Sequence, residues 1–217
     1  MIKAVIFDLD GTLTDTLQDL GNSVNYALHR MEWPERSLSE VRQFVGNGVR
    51  RLVERAVPQG AGEADVETCF SIFQKHYLVH CQDNTRLYPG IAGMLREVRS
   101  RGFRTAIVSN KLQAGVDELY QTYFRDVIDV AIGEREGLRR KPAADMVELA
   151  LEHLAVSRQE AIYVGDSEVD VQTARNAGLP CVSVLWGFRD RDRLVEAGAT
   201  TFISHPDQLL SLIGQPS

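Results

Sequence analysis

Short apolar runs recur along the chain, and stretches with helical periodicity lie between them. A short continuous apolar run predicts a strand that is buried on both faces, as in a parallel sheet. Because predicted strands alternate with predicted helices, the pattern favours an α/β fold with a doubly wound parallel sheet, a Rossmann-like core. The predicted strands are residues 4–7, 105–108, 127–132, 161–164, 182–185 and 201–203.

Residues 15–86 break this alternation, because they show helical periodicity and no apolar run of the strand type. Apolar stripes at helical spacing begin at Leu17, Val49 and Val66. This segment is therefore predicted to be a small helical domain inserted after the first strand. The two predicted domains are an α/β core, residues 1–14 and 87–217, and the inserted helical domain, residues 15–86.

Composition narrows the class of protein. The 217 residues carry a formal net charge of −6, with 44% hydrophobic and 25% charged residues, the mixture of a soluble globular protein. The acidic balance argues against a nucleic-acid partner, which would need a concentrated basic surface. Neither an apolar run of ~20 residues nor a signal peptide is present, so we expect no membrane partner and a cytoplasmic location. The cysteines are few and widely spaced, which indicates neither a disulfide framework nor a zinc site.

Polar residues follow four of the predicted strands directly. In an open α/β sheet, ligands bind outside the carboxyl ends of the strands, so these side chains are expected to converge on one site. They supply carboxylates, hydroxyls, an amide and an ammonium. In chain order they are Asp8, Asp10 and Thr12, then Ser109 and Asn110, then Lys141 before Pro142, where a helix is expected to start, and finally Asp166 and Asp170.

This set of side chains suits phosphoryl transfer. Clustered carboxylates repel one another unless a cation holds them, and hard oxygen ligands suit Mg²⁺. Phosphoryl transfer requires that negative charge be neutralised while the attacking and leaving oxygens stay in line. One carboxylate could attack phosphorus and form an aspartyl phosphate, and a second, two residues away, could act as general acid and then base. Spacing alone thus predicts Mg²⁺-assisted phosphoryl transfer.

Across nearly its whole length, the chain resembles the haloacid dehalogenase superfamily, whose four motifs occur here in the family's order. The helical insertion resembles the first class of cap domain in that superfamily. Ala144 departs from the pattern, since relatives often carry a second proline there, but this change is not expected to affect the chemistry. The four motifs are Asp8-Leu9-Asp10-Gly11-Thr12, Ser109, Lys141-Pro142 and Gly165-Asp166 with Asp170, and Phe44-Val45-Gly46-Asn47-Gly48 resembles the phosphoglycolate phosphatase group.

The resemblance implies a role for each carboxylate. Asp8 would be the nucleophile and would also ligate Mg²⁺. Asp10 would protonate the leaving oxygen, later activate water, and offer its backbone carbonyl to the metal. Asp166 would complete the protein's share of the metal ligands, and Asp170 would be either a ligand or a supporting partner of the ligands.

The resemblance also implies how the phosphate is held. Ser109 and the Asn110 amide would bind phosphate oxygens. Lys141 would balance the charge of the phosphate and the nucleophile, and Thr12 would support the first loop. The implied function is a Mg²⁺-dependent phosphatase that acts on a small phosphorylated substrate, and 2-phosphoglycolate is the leading candidate. The expected oligomeric state is a monomer or a homodimer.

Several alternatives stay open. A sugar-phosphate mutase, a pyrophosphatase or a broad-specificity nucleotidase of the same superfamily would share the core residues. A haloacid dehalogenase is disfavoured, because the resemblance gives dehalogenases no acid at the position of Asp10. A non-catalytic binding module, the alternative from a different class, is expected to lose one of the motif acids, and all of them are present.

Substrate discrimination is expected from the cap, since the core residues grip only the phosphoryl group. Gly46, Asn47 and Gly48 precede the predicted helix of residues 49–57. A helix start offers backbone N–H groups and a positive dipole end to an anion such as the glycolate carboxylate. Arg50 lies in the same first turn and could add a bidentate contact. The alternative to an anion-binding turn, which the sequence supports equally, is an ordinary glycine-containing turn between two helices.

Overall fold

The computed structural model describes residues 1–214. Within this range, no helix combines the length and the apolar character needed to cross a membrane. The strands are β1 (Ala4–Phe7), β2 (Thr14–Asp15), β3 (Arg86–Leu87), β4 (Arg104–Leu112), β5 (Val130–Glu134), β6 (Ala161–Gly165), β7 (Cys181–Val184) and β8 (Phe202–Ile203). The α-helices are α1 (Leu17–Arg30), α2 (Leu38–Phe44), α3 (Val49–Ala56), α4 (Glu63–His80), α5 (Ile91–Ser100), α6 (Gln113–Leu119), α7 (Asp145–Leu154), α8 (Glu168–Ala177), α9 (Arg191–Glu196) and α10 (Gln208–Ile213).

A six-stranded parallel sheet in the order β5-β4-β1-β6-β7-β8 forms the core. Strand β1 lies inside this sheet, where Val5 pairs with Thr105 of β4 on one side and with Ile162 of β6 on the other. All residues of β1 are apolar and fully buried, as expected for a strand covered on both faces. The carboxyl ends of β4, β1 and β6 therefore lie side by side.

Helices pack on both faces of the sheet. Val5 and Phe7 contribute to a core layer that contains residues of α5, α6 and α10, whereas Ala4 and Ile6 contribute to a second layer with residues of α7 and α8. This division follows from strand geometry, because successive side chains point to opposite faces. The predicted α/β fold with a doubly wound, Rossmann-like parallel sheet is confirmed.

The third predicted strand begins later than its apolar run suggested. Residues 127–132 were expected to pair, but β5 starts at Val130. The N–H groups of Val127 and Ile128 donate to the carbonyl oxygen of Phe124 (2.9 and 2.8 Å). These two apolar residues therefore close the turn that follows a short π-helical segment, Tyr120–Phe124, instead of extending the sheet.

The helix expected to begin at Pro142 begins at Asp145 instead. In a helix that starts at Pro142, the carbonyl of this residue would accept the N–H four residues along the chain. It accepts instead the side-chain Nδ2 of Asn176 in α8, at 2.7 Å. The residues around Lys141 are thus held by side chains from elsewhere in the core and form a loop ahead of α7.

The residues group into two compact units, Met1–Thr14 together with the chain from Leu87 onward, and Asp15–Arg86. The second unit contains helices α1 to α4. Helix α2 begins with the capping box of Ser37 and Glu40. The chain leaves the first unit through β2 and returns through β3, and these two short strands form a two-stranded sheet of their own.

Candidate active site

The loop that follows β1, residues 8–14, is folded back by the carbonyl oxygen of Leu9. This oxygen accepts the N–H groups of Leu13 (2.9 Å) and Thr14 (3.0 Å). Gly11 has a φ of +91°, and a Cβ at this position would collide with the carboxylate of Asp166. Only glycine combines this backbone conformation with so close an approach. The sequence Asp-Gly in this loop therefore lets the end of β1 and the end of β6 come together.

The side chain of Lys141 joins two carboxylates in the core. Its Nζ donates to Oδ1 of Asp8 at 2.6 Å and to Oδ1 of Asp170 at 2.8 Å. It also donates to the hydroxyl oxygen of Tyr163 at 3.2 Å, and this hydroxyl in turn donates to Oδ1 of Asp170 at 3.1 Å. All four side chains are buried, so groups that lie far apart in the sequence form one network in which a single ammonium faces two carboxylates.

Burial and neighbouring charges together shift the pKa values of these groups. Burial, reinforced by the charge of Asp170, raises the pKa of Asp8 well above its ordinary value. The same two causes raise the pKa of Asp166 to about 7. Burial alone would lower the pKa of Lys141, but the carboxylates of Asp170 and Asp8 outweigh it and hold that pKa above its ordinary value. The negative charge of the three carboxylates thus exceeds the single positive charge of Lys141.

Asp166, just beyond β6, is oriented by donors at both of its oxygens. The backbone N–H of Phe188 donates to Oδ2 at 2.7 Å, and Oγ1 of Thr12 donates to Oδ1 at 3.3 Å. The Phe188 contact comes from the segment that follows β7. A Cβ on neighbouring Gly187 would collide with the side chain of Asp166, so this segment also needs a glycine. Thr12 supports the site through Asp166.

Three carboxylates are close enough to hold one cation. Asp8, Asp166 and Asp170 each offer an oxygen atom, and these atoms all lie within 4.8 Å of one another. All three residues are buried. A set of hard carboxylate oxygens fits Mg²⁺ rather than a soft metal. A divalent cation would relieve the repulsion that, after burial, raises the pKa of Asp8 and of Asp166. The residues present therefore fit the predicted metal.

Ser109 and Asn110 belong to an irregular end of β4 that continues beyond its predicted limit. The strand advances from Val108 to Leu112 while its partner β5 advances only from Ile132 to Glu134, so a bulge forms between the two paired positions. Bulges of this kind redirect side chains next to active sites. The Asn110 side chain turns to the backbone of Lys141, and Oγ of Ser109 accepts the N–H of Lys111 at 3.2 Å.

Lys111 is a candidate site residue that the sequence interpretation missed. Its Nζ donates to Oδ1 of Asp10 at 3.4 Å, and its side chain is only 3% exposed. The sequence did hold a signal, because a lysine directly follows Ser109 and Asn110. The strand was expected to end at Val108, however, and only Ser109 and Asn110 were predicted as the site residues that follow it. Tyr163 was missed for a related reason, since it lies within an apolar run.

The predicted cap residues lie in the helical unit and are engaged there. Gly46 and Gly48 have φ values of +119° and +83°, which explains the two glycines. Oδ1 of Asn47 accepts Nη2 of Arg55 at 2.7 Å. The Arg50 guanidinium donates to the carboxylates of Glu54 (3.2 Å) and Glu67 (2.6 Å) and lies over the ring of Phe70. By contrast, all predicted core residues lie in the first unit.

Comparisons with known proteins identify the family of the chain. Residues 5–184 match the haloacid dehalogenase-like hydrolase family. The chain is 33% identical over 219 residues to the phosphoglycolate phosphatase of Cereibacter sphaeroides, covering 98% of each protein. It is 32% identical over 211 residues to that of Pseudomonas putida, covering 93% of the chain and 75% of the relative. A crystal structure of a candidate phosphoglycolate phosphatase from Lactobacillus delbrueckii superposes with a TM-score of 0.93 at 33% identity, covering 97% and 98% of the two chains.

The chain belongs to the haloacid dehalogenase-like hydrolase family. Its resemblance to the phosphoglycolate phosphatase group within that superfamily is confirmed, because relatives of this group match along nearly the whole chain. The predicted enzyme class, phosphoric monoester hydrolase, is confirmed by the same comparisons.

Proposed function

We propose that this phosphatase is Mg²⁺-dependent and hydrolyses a small phosphomonoester, 2-phosphoglycolate, through an aspartyl phosphate on Asp8. The observation that carries the proposal is the buried contact of 2.6 Å between Lys141 Nζ and Asp8 Oδ1, beside the carboxylates of Asp166 and Asp170. This arrangement fixes one oxygen of a candidate nucleophile and supplies positive charge next to it.

Asp8 is the residue positioned to attack phosphorus. Among the residues that the structure describes, Lys141 is the one side-chain donor to its carboxylate, and the contact is at Oδ1. The other oxygen, Oδ2, would form the new bond to phosphorus while the bond to the leaving oxygen breaks. The ammonium of Lys141 then balances the charge that the transferred phosphoryl group brings in. Ser109 Oγ and the backbone N–H of Asn110 would hold the phosphate oxygens.

Asp10 would move the protons of the reaction. Its carboxylic acid gives a proton to the leaving oxygen in the first step and becomes a carboxylate. In the second step this carboxylate takes a proton from the water that attacks the aspartyl phosphate. Inorganic phosphate is released, and Asp8 and Asp10 return to their starting forms. The side chain of Asp10 is 18% exposed, more open than that of Asp8, as an acid that meets both substrate and water should be.

The metal would be held by the side chains of Asp8 and Asp166 and by the backbone carbonyl of Asp10. When bound, Mg²⁺ would neutralise negative charge on the phosphoryl group. We assign Asp170 to the support of Lys141 rather than to the metal. Its Oδ1 accepts from Lys141 and Tyr163, and its Oδ2 accepts the N–H (3.0 Å) and Oγ (2.6 Å) of Ser167. An ionised carboxylate has about four lone-pair positions that can accept hydrogen bonds, and these four donors occupy them.

The proposed substrate rests on the similarity to phosphoglycolate phosphatases along nearly the whole chain. The core residues recognise only the phosphoryl group, so we propose that the turn formed by Gly46, Asn47 and Gly48, together with Arg50, supplies discrimination for the rest of the substrate. Arg50 already pairs with Glu54 and Glu67, and binding a substrate carboxylate would require it to exchange at least one of these partners.

A phosphate-release screen tests the proposal. The purified 217-residue chain is assayed with Mg²⁺ and with excess EDTA on 2-phosphoglycolate, a hexose phosphate, a nucleoside monophosphate, pyrophosphate and p-nitrophenyl phosphate. We expect the highest kcat/KM for 2-phosphoglycolate, and no turnover in EDTA. The Asp8→Asn variant, purified in parallel, controls for contaminating phosphatases.

Other outcomes would change specific parts of the proposal. A higher kcat/KM for pyrophosphate or the nucleotide would replace the substrate but keep the mechanism. Isomerisation of the hexose phosphate with little phosphate release would indicate a mutase. Full turnover in EDTA by protein that contains no metal would refute the metal site.

A further inference from the structure

We propose that Lys111 is a positioning residue that holds the carboxylate of Asp10 in place for proton transfer. This inference rests on the proposed function, because it takes Asp10 as the general acid and base. The contact that carries it joins Lys111 Nζ to Asp10 Oδ1 at 3.4 Å, between residues that are far apart in the sequence. Lys111 acts through Asp10 and not on the phosphoryl group.

Burial distinguishes Lys111 from an ordinary surface lysine. Its side chain is 3% exposed, whereas the Asp10 side chain is 18% exposed. A buried ammonium is stabilised by a nearby carboxylate, and the pair constrains the more open partner as much as the buried one. Without this contact, the more exposed Asp10 side chain could turn towards water. The buried ammonium of Lys111 holds Oδ1 and so favours one rotamer of Asp10.

The aliphatic part of Lys111 is held against helix α6. A Cβ added at Gly115 would lie 3.1 Å from Cε of Lys111 and 3.5 Å from its Cδ. These distances show that the lysine side chain lies along the bare backbone of Gly115. The bulge of β4 sets the direction in which Lys111 leaves the strand, and Gly115 leaves room for its side chain. Two independent features therefore direct this ammonium to Asp10.

The site thus contains two lysines with separate partners. Lys141 binds Asp8 and Asp170, while Lys111 binds Asp10. The two acids of the β1 loop, which perform different steps, each receive positive charge from a different part of the chain. Loss of Lys111 should consequently affect the step that needs a proton from Asp10 more than the attack by Asp8.

The test compares leaving groups. Lys111→Met and Lys111→Arg are assayed with Mg²⁺ on 2-phosphoglycolate, on ethyl phosphate, which lacks a carboxylate, and on p-nitrophenyl phosphate, whose leaving group departs without a proton. The parameter kcat/KM covers the steps up to departure of the leaving group. For Lys111→Met we expect a loss of ~10–100-fold on both alkyl phosphates, part of the ~10²–10⁴-fold that general acid catalysis supplies. The loss on p-nitrophenyl phosphate should be under ~3-fold, and Lys111→Arg should recover most of the activity.

Two patterns would overturn the inference. A loss confined to 2-phosphoglycolate would mean that Lys111 binds the substrate carboxylate. An equal loss on all three substrates would mean that it holds the phosphate or only the fold. Gly115→Ala provides a second variant, since alanine favours the helix and its methyl group displaces the lysine side chain. It should show the same leaving-group pattern with a smaller loss, and it decides the question if Lys111→Met does not fold.

Asp10→Asn separates failure of this inference from failure of the proposed function. If Asp10→Asn shows the leaving-group pattern and Lys111→Met does not, the inference is wrong and the role of Asp10 stands. If Asp10→Asn shows no such pattern, both are wrong. In the Asp10→Asn background, Lys111→Met should cause little further loss on alkyl phosphates. A full additional loss there would contradict a role through Asp10.

Discussion

The side-chain amide of Asn110 bonds to both sides of the Lys141 backbone. Its Nδ2 donates to the Lys141 carbonyl oxygen at 3.1 Å, and its Oδ1 accepts the Lys141 N–H at 2.8 Å. The end of β4 is thereby tied to the loop that carries Lys141. Asn110 therefore sets the position of Lys141, in addition to the phosphate contact proposed for its backbone N–H.

Replacement of Asn110 by Ala should displace Lys141 and reduce catalysis with every leaving group. We expect kcat/KM to fall by roughly 10-fold or more, because two buried hydrogen bonds worth about 1 kcal/mol each are lost and Lys141 is no longer held in place. Parallel measurements on 2-phosphoglycolate and p-nitrophenyl phosphate check this. Equal losses on the two substrates support the positioning of Lys141, whereas a loss that depends on the leaving group would connect Asn110 with Asp10 instead.

Asp8→Asn should abolish turnover and leave the fold intact. The amide cannot form the aspartyl phosphate, while Lys141 keeps its contact of 2.8 Å with Asp170. Phosphate release and circular dichroism of the purified variant measure the two effects. Asp126→Asn is the matched control, since that carboxylate is 87% exposed and lies outside the site, so its activity should equal that of the wild type. Activity of Asp8→Asn near the wild-type level would refute the covalent mechanism.

Asp166→Asn and Asp170→Asn should separate metal binding from support of Lys141. We expect Asp166→Asn to weaken Mg²⁺ binding by about 10-fold or more, because a charged ligand is lost. Asp170→Asn should reduce kcat but change the affinity for Mg²⁺ much less. Titration calorimetry with Mg²⁺ in the absence of substrate gives the affinities directly. If both variants lost Mg²⁺ affinity to the same extent, Asp170 would be a ligand.

Arg50→Ala tests the proposed role of the cap turn. Loss of this guanidinium should reduce kcat/KM on 2-phosphoglycolate by about 10-fold or more and leave p-nitrophenyl phosphate nearly unchanged, because only the former carries a carboxylate. Arg51→Ala is the matched control, since Arg51 also pairs with Glu54 but is more exposed, at 59% against 36%. Similar effects of both variants, or equal losses on both substrates, would place the specificity residues elsewhere.

The sequence was most informative where local composition determines the structure. The apolar run of β1 and the Asp-x-Asp-Gly that follows it give the strand and its loop from adjacent residues alone. The sheet class follows in the same way from the repeated alternation of strands and helices. These features depend on a few neighbouring residues, so the sequence predicts them without information about which strands pair.

The missed features depend on residues that are distant in the chain. The bulge that directs Lys111 exists only in relation to β5, and the amide of Asn110 finds its partner 31 residues further on. The contact of Phe188 with Asp166 uses a backbone N–H, which any residue except proline possesses. No residue type signals such a donor. Contacts between residues that are distant in the chain can be identified only from the folded structure.

The pairing of β2 with β3 has a consequence for how this enzyme diversifies. Paired strands lie about 5 Å apart, so the insertion of residues 15–86 begins and ends at neighbouring points. Any polypeptide whose termini are equally close could replace it by recombination without stretching the sheet or displacing Asp8 and Asp10. Under the role proposed for the cap turn, substrate preference would then change by exchange of a whole module, while the core with its candidate active site would be inherited unaltered.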